Sequence, residues 1–242
     1  MDLEGTRAAL VVHAQRLQAD DLATGTSGNL SARVGDRVAI TPTGVDYATL
    51  EPEMICVVSL EGEPIEATFP PSSELPLHLA IYRACAAEAI VHTHSPYATA
   101  LSIVLDELPA IHYLVAELGG PVRVAPYATF GTEELAANAT LALTGRHAVL
   151  LEAHGAVTTG DSVAHAYARS LYLEWLARIY SVALSCGTPR ALPLEEIERV
   201  GARLDQASYG PARRLALAPT DGYPERLVDL DGRDRGAPGP GP

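Results

Sequence analysis

Four side chains of the sequence have the chemistry of a catalytic metal site. His92 and His94 form a His-x-His pair near the middle of the chain. His154 precedes a glycine further along, and Glu74 follows two serines upstream. Zinc in proteins is bound by imidazole nitrogens and carboxylate oxygens, and three histidines leave one tetrahedral position open. The pattern therefore predicts a catalytic zinc site with Glu74 beside it.

Two buried strands are expected to position the three histidines. Residues 89–91 are Ala-Ile-Val, a β-branched apolar run that leads into His92, and strand side chains alternate between faces. His92 and His94 should therefore point the same way. Residues 147–151 form a second such run, which should bring His154 to its C-terminal end, where α/β sheets tend to place their sites. A His-x-His pair alone is a weak signal, and the third histidine strengthens it.

Composition restricts the chemistry. The formal net charge is −13 and no basic cluster is present, which argues against nucleic acid or an anionic membrane as a partner. All 17 basic residues are arginine. A Schiff-base mechanism and a P-loop both need lysine, so carbonyl chemistry in this chain must use a metal.

Length and apolar content fit one α/β domain, with 242 residues of which 48% are hydrophobic. Neither an apolar run long enough for a membrane span nor a signal peptide is indicated, so we expect a cytoplasmic protein. Cys56, Cys85 and Cys186 are widely spaced and match no metal or disulfide motif. We interpret them as small core residues.

Hydrophobic periodicity and turn residues predict alternating helices and strands. The predicted helices lie at residues 2–20, 74–85, 132–143, 161–186 and 193–206, and another begins at Ser95-Pro96. Further strands are predicted at residues 28–33, 37–41, 54–60 and 122–124, and Asp161 is the predicted cap of the long helix. Beyond Tyr209 the chain is rich in proline and glycine and cannot build a core. We expect a domain over residues 1–210 and a largely disordered tail over 211–242.

Three small polar loops are candidates for a phosphate site. They lie at residues 24–29, 41–44 and 71–73 and combine hydroxyls, an amide and glycines. Such loops can bind a phosphate through backbone N–H groups without lysine. Each loop alone is as well explained by an ordinary β-turn. Their joint presence beside Glu74 favours a phosphate site.

Several segments, in this order, resemble the class II aldolase/adducin family. They are Ser27-Gly28-Asn29-Leu30-Ser31, Thr41-Pro42-Thr43-Gly44, Pro71-Ser72-Ser73-Glu74, His92-Thr93-His94-Ser95, Ile111-His112-Tyr113, the run from Pro126 to Thr132, and Leu150-Leu151 with His154-Gly155. The resemblance covers roughly residues 5–210 and is strongest to the branch that cleaves L-fuculose 1-phosphate. It implies a single α/β domain with a mainly antiparallel central sheet flanked by helices. It also implies a homotetramer with active sites between subunits.

The resemblance assigns roles to individual residues. His92, His94 and His154 resemble ligands of one zinc ion per subunit, and Glu74 resembles the acid/base, which also ligates zinc when substrate is absent. The positions that match the phosphate-binding residues are Gly28, Asn29, Thr43, Gly44, Ser72 and Ser73. Tyr113 resembles a proton donor contributed by a neighbouring subunit, and Tyr209 matches a second tyrosine on a mobile C-terminal tail. Phe130 is expected to pack at the site.

The implied reaction is the reversible cleavage of a phosphorylated ketose. Zinc would act as a Lewis acid on a ketose 1-phosphate, and Glu74 would protonate the enediolate to release dihydroxyacetone phosphate. The aldehyde is L-lactaldehyde for L-fuculose 1-phosphate, or acetaldehyde for a deoxypentulose 1-phosphate.

Three alternatives share the fold. A pentulose 5-phosphate 4-epimerase resembles this chain but carries Asp at the position of Glu74. A decarboxylase or dehydratase acting on a sugar phosphate would keep the same histidines. A non-enzymatic, adducin-like module predicts eroded ligands, whereas all four are intact here.

Other polar and aromatic residues receive ordinary interpretations. His78 is interpreted as an ordinary helix-face histidine, with a supporting role beside the site as the less favoured alternative, and Glu152 either alters the zinc environment or lies in solvent. The aromatic residues of the long helix are expected to serve packing or subunit contacts; they are Tyr167, Tyr172, Trp175 and Tyr180.

Overall fold

The computed structural model describes residues 2–207. Tyr209 and the predicted tail over 211–242 lie outside these residues, so what was predicted for them stays a prediction. Met1–Leu204 form one compact unit. The second unit, Asp205–Pro242, lies almost wholly outside the described residues.

Nine strands form one sheet within residues 2–207. They are β1 (Asn29–Val34), β2 (Arg37–Ile40), β3 (Cys56–Ser59), β4 (Pro64–Glu66), β5 (Ala89–Thr93), β6 (Glu107–Leu108), β7 (Val122–Ala125), β8 (Ala148–Leu151) and β9 (Gly155–Gly160). Their spatial order is β4-β3-β2-β1-β5-β9-β8-β7-β6. Only β7 and β8 pair in parallel. The prediction of a mainly antiparallel sheet is confirmed, and the single parallel pair makes the sheet mixed.

Helices cover both faces of this sheet. They are α1 (Leu3–Ala14), α2 (Leu75–Ala84), α3 (Pro96–Ser102), α4 (Glu133–Leu143), α5 (Val163–Cys186) and α6 (Leu194–Ala207). Residues of α2 and α4 pack in one core cluster with Ile90 and Val157. Residues of α1, α3 and α5 form two clusters on the other face, with Val91 and Ala156. Because neighbouring residues of one strand enter opposite clusters, the central strands are buried on both faces, which explains their apolar runs.

The structure differs from the prediction at one strand and at two helix ends. The central strand β9 was not predicted, because its sequence Gly-Ala-Val-Thr-Thr-Gly has few large apolar residues and starts four residues after β8 ends. The cap of α5 is Ser162, whose side chain accepts from the His165 N–H, whereas Asp161 bonds the His165 ring. Helix α1 ends at Ala14 rather than near residue 20.

The prediction for the cysteines holds only in part. Cys56 is buried on β3, as expected of a core residue, but Cys85 and Cys186 are exposed. Both lie where a helix ends, at the C-cap of α2 and the last residue of α5, so their surroundings open to solvent.

None of the described helices is both long enough and apolar enough to cross a membrane.

Candidate active site

The hairpin between β8 and β9 brings His154 to the end of β5. Leu151 pairs with Gly155, so residues 152–154 form a three-residue turn, which Ala153 closes with a left-handed φ of 52°. Strand β9 runs antiparallel to β5, with Thr93 opposite Ala156. A Cβ on Gly155 would lie 2.1 Å from the Thr93 carbonyl oxygen, so only glycine permits this approach.

The three imidazoles converge through their Nε2 atoms. His92 Nε2 and His94 Nε2 are 2.9 Å apart, which agrees with the prediction that the two side chains point the same way. The His154 ring centroid lies 4.9 Å from each of the other two. Glu74 Oε2 is 2.9 Å from His92 Nε2, and Oε1 is 3.4 Å from His154 Nε2. One potential ligand atom from each of the four residues lies within 4.8 Å of the others.

Hydrogen bonding prepares this cluster for a cation. His92 Nδ1–H donates to the Ala156 carbonyl at 2.9 Å, which fixes the ring and directs Nε2 towards the other ligands. Among the described residues, Glu74 Oε1 is buried and has no hydrogen-bond partner. A buried acceptor without a donor is costly, and a cation would satisfy it. The donor set, three imidazole nitrogens and one carboxylate, fits zinc.

Burial lowers the pKa of His94 to about 3 and that of His154 to about 4, and the charge of His92 adds to the effect. At His92 itself the carboxylate of Glu74 outweighs burial and raises the pKa. The rings of His94 and His154 are therefore neutral at pH 7, with lone pairs available to a metal. Burial alone would raise the pKa of Glu74, but the adjacent His92 and a hydrogen bond from Asn29 outweigh it and hold that pKa below its usual range. Glu74 is thus a carboxylate at neutral pH.

The three polar loops are joined into one wall beside this cluster. The Tyr47 hydroxyl donates to the Gly28 carbonyl of the first loop at 2.8 Å and lies 3.3 Å from Thr41 Oγ1 of the second, which ties the two loops together. The Ser72 N–H donates to the Thr41 carbonyl at 3.1 Å, and the Thr43 N–H donates to the Pro70 carbonyl, just before the third loop. These two bonds tie the second loop to the third. The third loop leads directly into the N-terminus of α2, where the helix dipole favours an anion.

A cavity of about 350 Å³ joins the loops and the cluster. Its lining residues are Thr26, Ser27, Gly28, Asn29, Pro42, Thr43, Gly44, Tyr47, Ser72, Ser73, Glu74, His94, Tyr127, Ala128, Phe130, Ala153 and His154. All six predicted phosphate-binding residues are among them, as is Phe130. No arginine of the described part of the chain lines it. His92 lies beneath the wall, with no exposed surface.

Of the two predicted tyrosines, only Tyr113 lies in the described part of the chain. Tyr113 begins a short 3-10 helix, Tyr113–Leu118, and is 48% exposed. It does not line the cavity of its own chain. Its assignment to a neighbouring subunit's site stays a prediction, and Tyr209 lies outside the described residues.

The sequence did not reveal several residues of the site. Tyr47 follows the second loop by three positions, and this spacing was the available signal. His78 is fully buried and its Nε2 lies 2.6 Å from Asn29 Oδ1, which agrees with the less favoured interpretation, a supporting role beside the site, rather than with an ordinary helix-face histidine. The Asn29 side chain therefore faces Glu74 and His78. Glu152 is exposed, as one interpretation held, and its carboxylate accepts from the Tyr127 N–H at 2.9 Å.

Comparison with known proteins places this arrangement among described enzymes. The profile of the Class II Aldolase and Adducin N-terminal domain matches residues 8–181. A 5-deoxy-D-ribulose 1-phosphate aldolase of Bacillus thuringiensis serovar kurstaki is 39% identical over 213 residues, 87% of this chain and 99% of the relative. The L-fuculose phosphate aldolase of Escherichia coli K12 is 38% identical over 192 residues, 75% of this chain and 89% of the relative. A solved L-fuculose 1-phosphate aldolase superposes with a TM-score of 0.81 at 38% identity, over 83% of this chain and 96% of that one.

Proposed function

The chain belongs to the class II aldolase and adducin family and is an aldehyde-lyase, and on that premise we propose that it is a zinc-dependent aldolase. It reversibly cleaves a ketose 1-phosphate to dihydroxyacetone phosphate and a short aldehyde. One observation carries this proposal: the Glu74 and histidine cluster opens into the same cavity as the three polar loops. A phosphate bound at the loops would present the carbons of the sugar to the cluster.

The loops supply the phosphate end of the site. Thr43, Ser72 and Ser73 offer hydroxyls in the cavity wall, Gly44 and Ser73 offer backbone N–H groups, and the N-terminus of α2 adds its dipole. Binding a remote, non-reacting group in this way orients the reacting carbons. The absence of lysine from the chain is no obstacle, because these contacts need none.

The metal would be held by His92, His94 and His154. When bound there, zinc supplies Lewis acidity that stabilises negative charge on substrate oxygens. This assignment is supported by the neutral rings of His94 and His154 and by Glu74 Oε1, which is buried without a hydrogen-bond partner among the described residues. The choice of zinc over another divalent metal is part of the proposal.

Glu74 transfers a proton to or from C3 of the substrate. In the cleavage direction the C4 hydroxyl loses its proton, the C3–C4 bond breaks and its electron pair stays on C3 as an enediolate, while C4 becomes the aldehyde. Glu74 then gives a proton to C3 and dihydroxyacetone phosphate results. In condensation the carboxylate removes the same proton. Tyr113 of a neighbouring subunit is the proposed partner for the C4 hydroxyl proton.

We favour 5-deoxyribulose 1-phosphate as the substrate, with acetaldehyde as the second product. The Bacillus thuringiensis relative, which aligns with this chain over 99% of its own length, is named for that activity. The cavity also holds Tyr127, Ala128 and Phe130, whose apolar surfaces suit a methyl-terminated aldehyde. L-fuculose 1-phosphate, which would give L-lactaldehyde, is the second choice. The homotetramer, the cytoplasmic location and Tyr209 remain predictions.

A substrate panel tests the proposal. The zinc-loaded protein is assayed on 5-deoxyribulose 1-phosphate, L-fuculose 1-phosphate and a pentulose 5-phosphate, and dihydroxyacetone phosphate is measured with a coupled dehydrogenase. We expect release from the ketose 1-phosphates, fastest from the deoxypentulose. Absence of product from every ketose 1-phosphate would refute the aldolase, and epimerisation of the pentulose 5-phosphate would favour the alternative.

The role of Glu74 has its own test. Glu74→Gln should bind zinc yet fail to exchange the hydroxymethyl proton of dihydroxyacetone phosphate with D₂O. Glu66→Gln is the matched control, because Glu66 is an exposed carboxylate on β4 that pairs with Arg7. Normal exchange in Glu74→Gln would show that another group is the base.

A further inference from the structure

A chain of buried polar groups lies behind Glu74. Asn29 Nδ2 is 2.9 Å from Glu74 Oε2, and Asn29 Oδ1 is 2.6 Å from His78 Nε2. On the far side of the ring, His78 Nδ1 is 2.6 Å from Ser31 Oγ, which lies 2.8 Å from the Tyr82 hydroxyl. All five residues are buried. This chain of hydrogen-bonded side chains thus runs from the candidate active site into the core between β1 and α2.

The donors of this chain all point towards the carboxylate. An ionised carboxylate only accepts, so Asn29 must present its NH₂ group to Glu74 and its carbonyl oxygen to His78. The His78 Nε2 then carries the proton, and its Nδ1 accepts from the Ser31 hydroxyl. Ser31 Oγ in turn accepts from Tyr82, whose hydroxyl ends the chain. Hydrogen bonds aligned in one direction polarise one another, which strengthens the last donor to Glu74.

His78 takes part in this chain as a neutral ring. Burial lowers its pKa to about 3, so one nitrogen donates and the other accepts at neutral pH. Burial likewise raises the pKa of the Tyr82 hydroxyl, which keeps its proton. The protonation states agree with the direction deduced from the contacts.

We propose that His78, supported by Ser31 and Tyr82, is a positioning residue that holds Asn29 so that its amide N–H binds Glu74 Oε2 and leaves Oε1 to carry the reacting proton. This inference rests on the proposed role of Glu74. Oε2 already lies within 2.9 Å of both Asn29 Nδ2 and His92 Nε2, whereas Oε1 makes no hydrogen bond among the described residues. Without the His78 donor, the Asn29 amide could rotate and turn its oxygen towards the carboxylate, which would repel it.

A pair of substitutions at His78 tests the mechanism. His78→Leu removes the donor, whereas His78→Gln places an amide nitrogen at the same number of bonds from Cβ as Nε2. We expect His78→Leu to slow proton exchange at the hydroxymethyl carbon of dihydroxyacetone phosphate by about 10- to 100-fold, with zinc content retained. His78→Gln should recover most of that loss. Exchange at the wild-type rate in zinc-replete His78→Leu would overturn the proposal.

A milder variant serves if His78→Leu does not fold. Tyr82→Phe removes only the outermost hydroxyl and should slow the same exchange by a few-fold. The matched control is Tyr167→Phe, because Tyr167 is also a buried tyrosine with a single hydroxyl contact, to Asp20 at 2.8 Å. An equal exchange rate in the two folded variants would contradict the proposed role of the hydrogen-bonded groups behind Glu74.

The ring tautomer provides a measurement that needs no substrate. In ¹⁵N-histidine-labelled, zinc-free protein, the His78 resonances, identified by their absence from His78→Gln, should show a proton on Nε2 and none on Nδ1. A proton on Nδ1 would overturn the proposal whatever the enzyme's activity. Conversely, an Nε2–H tautomer in a protein inactive on every ketose 1-phosphate would refute the proposed function alone.

Discussion

Substituting Gly155 by alanine should separate the metal ligands without touching any of them. The added Cβ would lie 2.1 Å from the Thr93 carbonyl oxygen and 3.4 Å from His94 Cα. Real Cβ contacts essentially never fall below 3.0 Å, so the two backbones must move apart by at least 0.9 Å, the difference between 3.0 and 2.1 Å. Both are strand backbones, and neither can rotate out of the way as a side chain would.

This movement falls on the proposed zinc ligands. His154 immediately precedes Gly155, and His94 immediately follows Thr93. A displacement of about 1 Å in a catalytic group costs about 100-fold in rate. We therefore expect kcat/KM to fall about 100-fold and zinc to bind more weakly. Overpacking should also lower the free energy of unfolding by about 1–3 kcal/mol.

Gly160→Ala separates these effects. Gly160 is the last residue of β9, and its added Cβ would lie 2.5 Å from the backbone nitrogen of Ala166. This clash falls at the opposite end of the same strand, between β9 and the start of α5. The variant should lose comparable stability while it keeps the zinc affinity of the parent protein.

Isothermal titration calorimetry with zinc, at a temperature where thermal melts show both variants folded, checks the prediction. Gly155→Ala should bind zinc more weakly than Gly160→Ala. If the two variants bound zinc equally, the close approach of β9 to β5 would not determine the ligand geometry, and the reasoning would be wrong.

Three further predictions concern the metal and the loop beside it. Zinc at about 100 times its Kd should raise the free energy of unfolding by about 2.7 kcal/mol, seen as a higher Tm that a chelator reverses. His94→Ala should abolish this Tm shift; an unchanged shift would place zinc elsewhere. Glu152→Ala should raise KM for the aldehyde about fivefold, equivalent to about 1 kcal/mol, because the carboxylate holds the Tyr127 N–H at 2.9 Å. Glu152→Gln, whose amide oxygen can accept the same bond, should keep the parent KM, and equal KM values in the two variants would count against this role.

The sequence was informative where a local pattern carries the information. Alternation along residues 89–94 predicted that His92 and His94 share a side, because strand periodicity is local. The apolar run before His154 predicted the second strand for the same reason. Strand β9 was missed because its place in the sheet depends on pairing with β5 and β8 rather than on its own Thr- and Gly-rich residues.

His78 shows why the rest needed the fold. Its spacing after Glu74 places it one turn along α2, but helix periodicity does not say which neighbours fill the space beside that turn. Ser31 and Asn29, two positions apart on β1, face the ring only because the sheet packs against α2. The same long-range contact decides which nitrogen of His78 carries its proton.

The residue types alone establish the kinds of chemistry available to this protein. Its histidines, Glu74 and lysine-free polar loops indicate the ligand types, the need for a metal and a candidate phosphate site, since these depend only on which residues are present. Where those groups meet, and in which protonation state, depends on contacts between distant parts of the chain. Distances such as the 2.9 Å between His92 Nε2 and His94 Nε2, and the low pKa of His94, arise from burial and from strands far apart in the chain.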